Sequence, residues 1–264
     1  MAAFNKRLIG EISNARERGE FTDFVLLCGG ERFPVHKVIV CSHSKVLHAA
    51  CRKPFREAAL GEYEITDQSP EMVRRMVDYF YTGDYKGHDE PPEEPSKEKP
   101  ESSEAENLTA LRVHARMFAL AHMYQVDHLQ ALAASKYGKE WEKTKNFQHL
   151  LDSIPDVYQL TPSSVRALRD KVIVALRAWL GRTRRPSWYG EPSEGETPGA
   201  ADALMAAYDD IAAEYPEFLK DLFNSFVRGP ILAACHNCGT EPPQPAEVLQ
   251  AKCLTCGKGG ARPL

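Results

Sequence analysis

The 264-residue chain has no run of about 18 apolar residues, the length a helix needs to cross a bilayer. It is expected to be soluble, with no membrane partner. Its first twenty residues, MAAFNKRLIGEISNARERGE, lack the unbroken apolar stretch of a secretory signal, and their glutamates argue against a transit peptide. A cytoplasmic or nuclear address follows, or both. Charge of one sign is also scarce: a formal net charge of -4 removes the broad attraction on which nonspecific nucleic-acid binding depends. Catalytic signatures are missing as well. There is no HExxH and no GxSxG, and the glycine run GKGG at 257–260 has no Ser or Thr after its lysine to complete a phosphate cradle. The expectation is a non-enzyme with no catalytic residues and no small-molecule substrate.

Cysteine is sparse and unevenly placed. Cys28, Cys41 and Cys51 lie near the front, whereas Cys235, Cys238, Cys253 and Cys256 crowd the tail. In a reducing compartment this pattern reads as three separate thiols plus a metal site, not as a disulfide framework. The tail holds two CxxCG units, CHNCG and CLTCG, with fourteen residues between Cys238 and Cys253. A CxxC turn puts two thiolates on one side of a tight knuckle, and two knuckles complete a tetrahedron around Zn2+. Four thiolates leave no position for an activated water, so the zinc is expected to be structural. No aromatic residue lies between Cys235 and Leu264 to stack on a base, so nucleic acid is an unlikely partner for this tail.

What the chain does have is patterned apolar sequence. Phe4, Leu8, Ile9 and Ile12 recur at helical spacing in the first twenty residues. FTDFVLLCGG reads as a strand ending in a Gly29-Gly30 turn, with ERFPVH as its hairpin mate. Helical pattern begins at Lys37, and Ser42 or Ser44 can cap a helix from Lys45 to Cys51; Pro54 interrupts before a further segment, Phe55 to Leu60. GEYEITD is a third strand. SPEMVRRMVDYFYTGDY carries Ser69 as N-cap, Pro70 at the first helical position, Glu71 in the first turn and Gly83 at the end.

Residues 87–106 hold eight acidic residues, two lysines, four prolines and no large apolar side chain. That composition predicts a disordered insertion. Two helices hinged near Val126-Asp127 follow. Further helices are expected from Val165 to Leu180, Ala200 to Glu214 and Pro216 to Arg228, with a loop over 181–199. The basic run RTRR at 182–185 reads as solvated charge more readily than as a nuclear-localisation signal.

The stretch FPVHKVIVCSHSKVL raises the question of a reactive Cys41. An apolar run before the thiol disfavours the thiolate, and neither a base nor an oxyanion site accompanies it, so the stretch reads as scaffold.

The segment FTDFVLLCGGERFPVHKVIVCSHSKVLHAACRKPFREAALGEYEI, followed by a helix ending YFYTGDY, resembles a BTB/POZ domain in order and spacing. Its HKVIVCSHS and YTGDY versions are most similar to the stand-alone BTB proteins of filamentous fungi. The resemblance covers residues 21–85 and 108–137. It implies an α+β fold, a helical cluster with a small mixed sheet, which the apolar patterning and the paired CxxC units extend with an all-α C-terminal region and a small zinc-ribbon-like tail. The implied domains are an N-terminal amphipathic helix at 1–20, the BTB/POZ domain at 21–137 with its insertion at 87–106, a helical region at 138–229, and a zinc-binding tail at 230–264.

The family dimerises and recruits partners through helix surfaces, which makes Phe4, Leu8 and Ile12 the expected homodimer interface. Many members are adaptors that bind a cullin scaffold and present substrates to ubiquitin ligases. Their apolar-x-Glu motif is matched by Phe55-Arg56-Glu57, the expected partner-binding residues. Asp23 and Lys37 match a charged pocket of BTB transcriptional repressors. The function this implies is that of a homodimerising adaptor. The alternative is a nuclear transcriptional or chromatin regulator that pairs BTB dimerisation with a zinc-ribbon contact to DNA or protein.

Overall fold

The computed structural model describes residues 2–52, 56–87, 108–183, 200–228, 231–233, 244–246, 251–252 and 259–261. They fall in two compact units, Met1–Pro162 and Ser163–Leu264.

The first unit opens with helix α1 (Ala2–Glu17) and the hairpin of β1 (Phe24–Cys28) and β2 (Glu31–Val35). Gly29 and Gly30 join the strands with φ of 54° and 82°, a left-handed turn that a side chain would strain. β1 pairs antiparallel with β2, Phe24 opposite Val35 and Cys28 opposite Glu31. On its other edge β1 runs parallel to β3 (Glu62–Ile65), giving a mixed sheet of order β2-β1-β3. Phe24, Leu26 and Cys28 alternate into the core, as the two-residue period of a strand requires.

Between β2 and β3 lie three short helices, α2 (Lys37–His43), α3 (Lys45–Ala50) and α4 (Arg56–Leu60). Of the two serines able to cap α3, the fold uses Ser44. Its hydroxyl oxygen accepts from the Leu47 N–H at 3.1 Å, and the same hydroxyl donates to the Tyr124 carbonyl at 2.7 Å. One buried side chain therefore starts a helix and ties it to a residue eighty positions away.

Helix α5 (Pro70–Thr82) begins as its sequence predicts. Ser69 accepts from Met72 N–H, Pro70 takes the first turn, and Gly83 ends the helix at φ 75°. Met72, Val73, Met76, Val77 and Phe80 bury its inner face. α6 (Ala110–Met123) is buried on nearly every side, the mark of a central helix. A bend through Gln125, at φ 52°, leads into α7 (Asp127–Thr144).

Residues 147–159, for which the sequence predicts no element, form α8 (Phe147–Gln159). Asn146 caps it by accepting from His149 N–H at 3.3 Å, and Phe147, Leu150, Leu151, Ile154 and Val157 are buried. Pro155 sits inside the helix, where a missing N–H and ring crowding ordinarily break it. Tertiary contacts override that tendency. Ser153 is within 2.7 Å of the Tyr137 hydroxyl of α7, and the buried Asp156 carboxylate accepts from Arg112 and Arg116 of α6 at 2.8 and 3.0 Å.

The second unit contains α9 (Arg166–Thr183), α10 (Ala200–Glu214) and α11 (Pro216–Arg228). Phe218 and Leu222 turn the inner face of α11 into this unit, while Arg166 and Arg169 of α9 pair with Asp221 and Glu217 at 2.7 and 2.6 Å. Four short strands follow as two antiparallel pairs: β4 (Ile231–Ala233) with β5 (Gln244–Ala246), and β6 (Ala251–Lys252) with β7 (Gly259–Ala261). Among the described residues no helix is long and apolar enough to cross a membrane.

Candidate functional site

Histidine 36, which opens the motif read as scaffold, is held on all sides. Its backbone N–H donates to the Tyr81 hydroxyl at 2.9 Å, its Nδ1 lies 2.8 Å from the same oxygen, and its Nε2 lies 3.0 Å from the Glu20 carbonyl. A carbonyl can only accept, so Nε2 carries the hydrogen; Nδ1 then accepts from the Tyr81 hydroxyl. The result is a fully satisfied imidazole joining the loop after α1, the start of α2 and the end of α5. Burial pushes the Tyr81 phenol above its ordinary value, which keeps the hydroxyl protonated as this geometry requires. Tyr81 stands in the YFYTG stretch, but nothing local in the sequence marks its hydroxyl as the partner of a residue 45 positions earlier.

Asp23 and Lys37 do meet, though through a helix cap and not as the expected charged pocket. The Asp23 carboxylate accepts from the backbone N–H of Lys37 at 2.7 Å, while the Lys37 ammonium lies over the Phe24 ring, 5.5 Å from its centre. The reason is geometric. Lys37 is the first residue of α2, its N–H has no partner within the helix, and an acidic side chain at that end also suits the helix dipole.

The apolar stripe of α1 is divided. Arg16 docks the helix on α5, with its guanidinium 5.2 Å from the centre of the Tyr81 ring and 3.5 Å from Asp78. Ile12 is half-buried, whereas Leu8 and Ile9 remain 48% and 44% exposed. The Phe4 side chain lies outside the described residues. Phe21, at φ 60°, and Val38 are further exposed apolar side chains of this unit, 88% and 75% open to solvent.

Glu57 is half-buried in the first turn of α4, immediately before β3; Phe55 lies outside the described residues. So do Cys235, Cys238, Cys253 and Cys256. Among the described residues no group of three or more His, Cys, Asp or Glu is arranged to hold a metal ion.

Cys28, Cys41 and Cys51 are free thiols. Cys41 is half-buried and donates to the Leu47 carbonyl at 3.7 Å; burial, then the Cys41 thiol, push the Cys51 thiol up.

Comparison with known proteins locates this chain. Residues 12–94 match the BTB/POZ domain family. Kelch-like protein 30 of Mus musculus is 32% identical over 72 residues, which is 27% of this chain and 12% of that protein. The chain thus spans about an eighth of that curated relative. Among solved structures, the BTB domain of zebrafish PATZ1 is 16% identical and aligns over 50% of this chain and 90% of that one, at a TM-score of 0.37. The BTB domain of human gigaxonin is 20% identical over 50% of this chain and 89% of its own, at 0.34. The family match takes in the hairpin, α2 to α4, β3 and α5, so residues 12–94 of this chain are a BTB/POZ domain, a protein-interaction module.

Proposed function

We propose that this protein is a homodimerising BTB adaptor of the stand-alone type, acting in the cytoplasm, the nucleus or both. The observation that carries the reading is the BTB/POZ match over residues 12–94 together with the exposed apolar positions of α1. In a two-fold dimer the same patch meets itself, so Phe4, Leu8 and Ile12 of each copy face their equivalents. An interface of this kind needs an apolar centre with a polar rim, and Leu8 and Ile9 supply part of that centre.

The adaptor surface is the segment that leads into β3. Phe55 and Glu57 recruit a cullin, with Phe55 as the apolar anchor and Glu57 as the orienting charge at the start of α4. Affinity capture of cullin from lysate by the full chain tests this. The wild-type protein is expected to retain cullin, and a Phe55→Ala, Glu57→Ala variant to lose it. Equal retention by both, or by neither, contradicts the adaptor reading.

The tail carries a structural Zn2+ held by Cys235, Cys238, Cys253 and Cys256. The strand order supports this: Cys235 and Cys238 fall in the connection between β4 and β5, and Cys253 and Cys256 in the connection between β6 and β7. Each CxxC pair thus falls, in chain order, between the two members of one strand pair, and strands of two or three residues contribute too little core to stand alone. Bound zinc supplies the missing free energy, on the order of 10 kcal/mol.

A further inference from the structure

We propose that Cys41 and Cys51 form a modification site, a thiol pair that hydroperoxide closes to an intramolecular disulfide. Cys41 lies in the second turn of α2, and Cys51 is the residue on which α3 ends. The two helices meet at a corner, and both cysteines converge on one acceptor there. The Cys41 thiol donates to the Leu47 carbonyl at 3.7 Å, and the Cys51 backbone N–H donates to the same oxygen at 2.9 Å. After burial, the neighbouring Cys41 thiol is the next cause that pushes the Cys51 thiol up, as two adjacent side chains would. Both side chains are half-buried, so a molecule the size of hydrogen peroxide reaches them.

The third thiol of this unit provides the contrast. Cys28 is fully buried and donates to the Gln68 carbonyl at 3.0 Å. Proximity and access together therefore single out one pair among the three described cysteines.

The chemistry balances. One sulfur, as thiolate, attacks a peroxide oxygen; the O–O bond breaks, leaving a sulfenic acid and, after proton uptake, water. The second sulfur then attacks the sulfenic sulfur, the S–S bond forms, the S–O bond breaks, and the departing oxygen leaves as a second water with the thiol proton. The two thiols lose two electrons and two protons, and the peroxide is reduced to two waters. Burial pushes the Cys51 thiol up, so its thiolate is scarce and the closure is slower than that of an activated thiol pair. The product staples the second turn of α2 to the end of α3.

The sequence makes the test direct. Trypsin cleaves after Lys37, Lys45 and Arg52, so Cys41 lies in peptide 38–45 and Cys51 in peptide 46–52. The native full-length chain is exposed to hydrogen peroxide, its remaining thiols are blocked with N-ethylmaleimide in denaturant, and the digest is mapped by mass spectrometry. The expected product is a linked 38–45/46–52 pair, about 2 Da lighter than the two reduced peptides together and split by dithiothreitol, with Cys28 still carrying the label. The proposal is overturned if the two peptides come apart and unlinked, whether labelled or over-oxidised, or if each is joined only to other cysteines of the chain.

Discussion

Tyr81 closes on His36 twice through one oxygen, accepting from the histidine's backbone N–H at 2.9 Å and lying 2.8 Å from its ring Nδ1. A single phenol at the end of α5 thereby fixes both the start of α2 and the orientation of the imidazole. That imidazole in turn reaches the Glu20 carbonyl, on the loop that leads from α1 into the sheet. This contact thus bears on both α1 and α2, the two elements that present Leu8 and Val38 to solvent.

Tyr81→Phe removes both hydrogen bonds and leaves a buried N–H unpaired while conserving the ring. The expected cost is about 1–3 kcal/mol. It is read as a lower urea midpoint at unchanged slope. An unchanged midpoint would show that the hydroxyl contributes nothing net to this junction.

Ser44→Ala takes away the α3 cap and the donor to the Tyr124 carbonyl in one step. Loss of a cap costs about 1 kcal/mol and an abandoned buried acceptor about as much again, so the expected total is about 2 kcal/mol. Ser42→Ala is the matched control, because the Ser42 hydroxyl only donates to the Ile39 carbonyl within its own helix, in an exposed position. Thermal melts of the two variants should differ clearly; equal melts contradict the assignment of the cap.

Much of this architecture is legible in the sequence, and the parts that are not share a physical cause. Gly29-Gly30, Ser69-Pro70-Glu71 and Gly83 announce their turns and caps because each acts within a few residues of itself. The choice of Ser44 over Ser42 depends on the Tyr124 carbonyl, eighty residues away, and no local rule supplies it. Helix α8 hides behind Pro155, a residue that argues against a helix until Asp156 and Ser153 are seen gripping α6 and α7. Asp23 and Lys37 are adjacent in the fold as the family resemblance implies, but which atoms meet is decided by the unpaired N–H at the start of α2.

Alkaline pH should destabilise the first unit. Burial raises the phenols of Tyr79, Tyr81, Tyr85 and Tyr124 above their unfolded value, so the folded state keeps protons that the unfolded chain releases. The stabilisation is present in full below about pH 10, the unfolded tyrosine value, and is lost as pH rises beyond it. Urea unfolding at pH 8, 10 and 11 measures it. A stability that is flat from pH 8 to 11 contradicts the burial of these hydroxyls.

Metal analysis tests the tail. Protein purified without chelator should carry one zinc per chain, and the Cys253→Ser, Cys256→Ser variant should carry none while keeping the melting transition of residues 1–162. Metal-free wild-type protein contradicts the proposed site.

The account rests most heavily on the exposed face of α1 as a two-fold contact. Sedimentation equilibrium of the full chain over a micromolar concentration range measures this directly, with Leu8→Asp beside it, a substitution that a half-exposed position tolerates without unfolding. The account predicts a wild-type mass of twice the 29.6 kDa chain and a variant at 29.6 kDa. A wild-type protein that sediments at 29.6 kDa throughout, or a Leu8→Asp variant that stays at twice that mass, contradicts it.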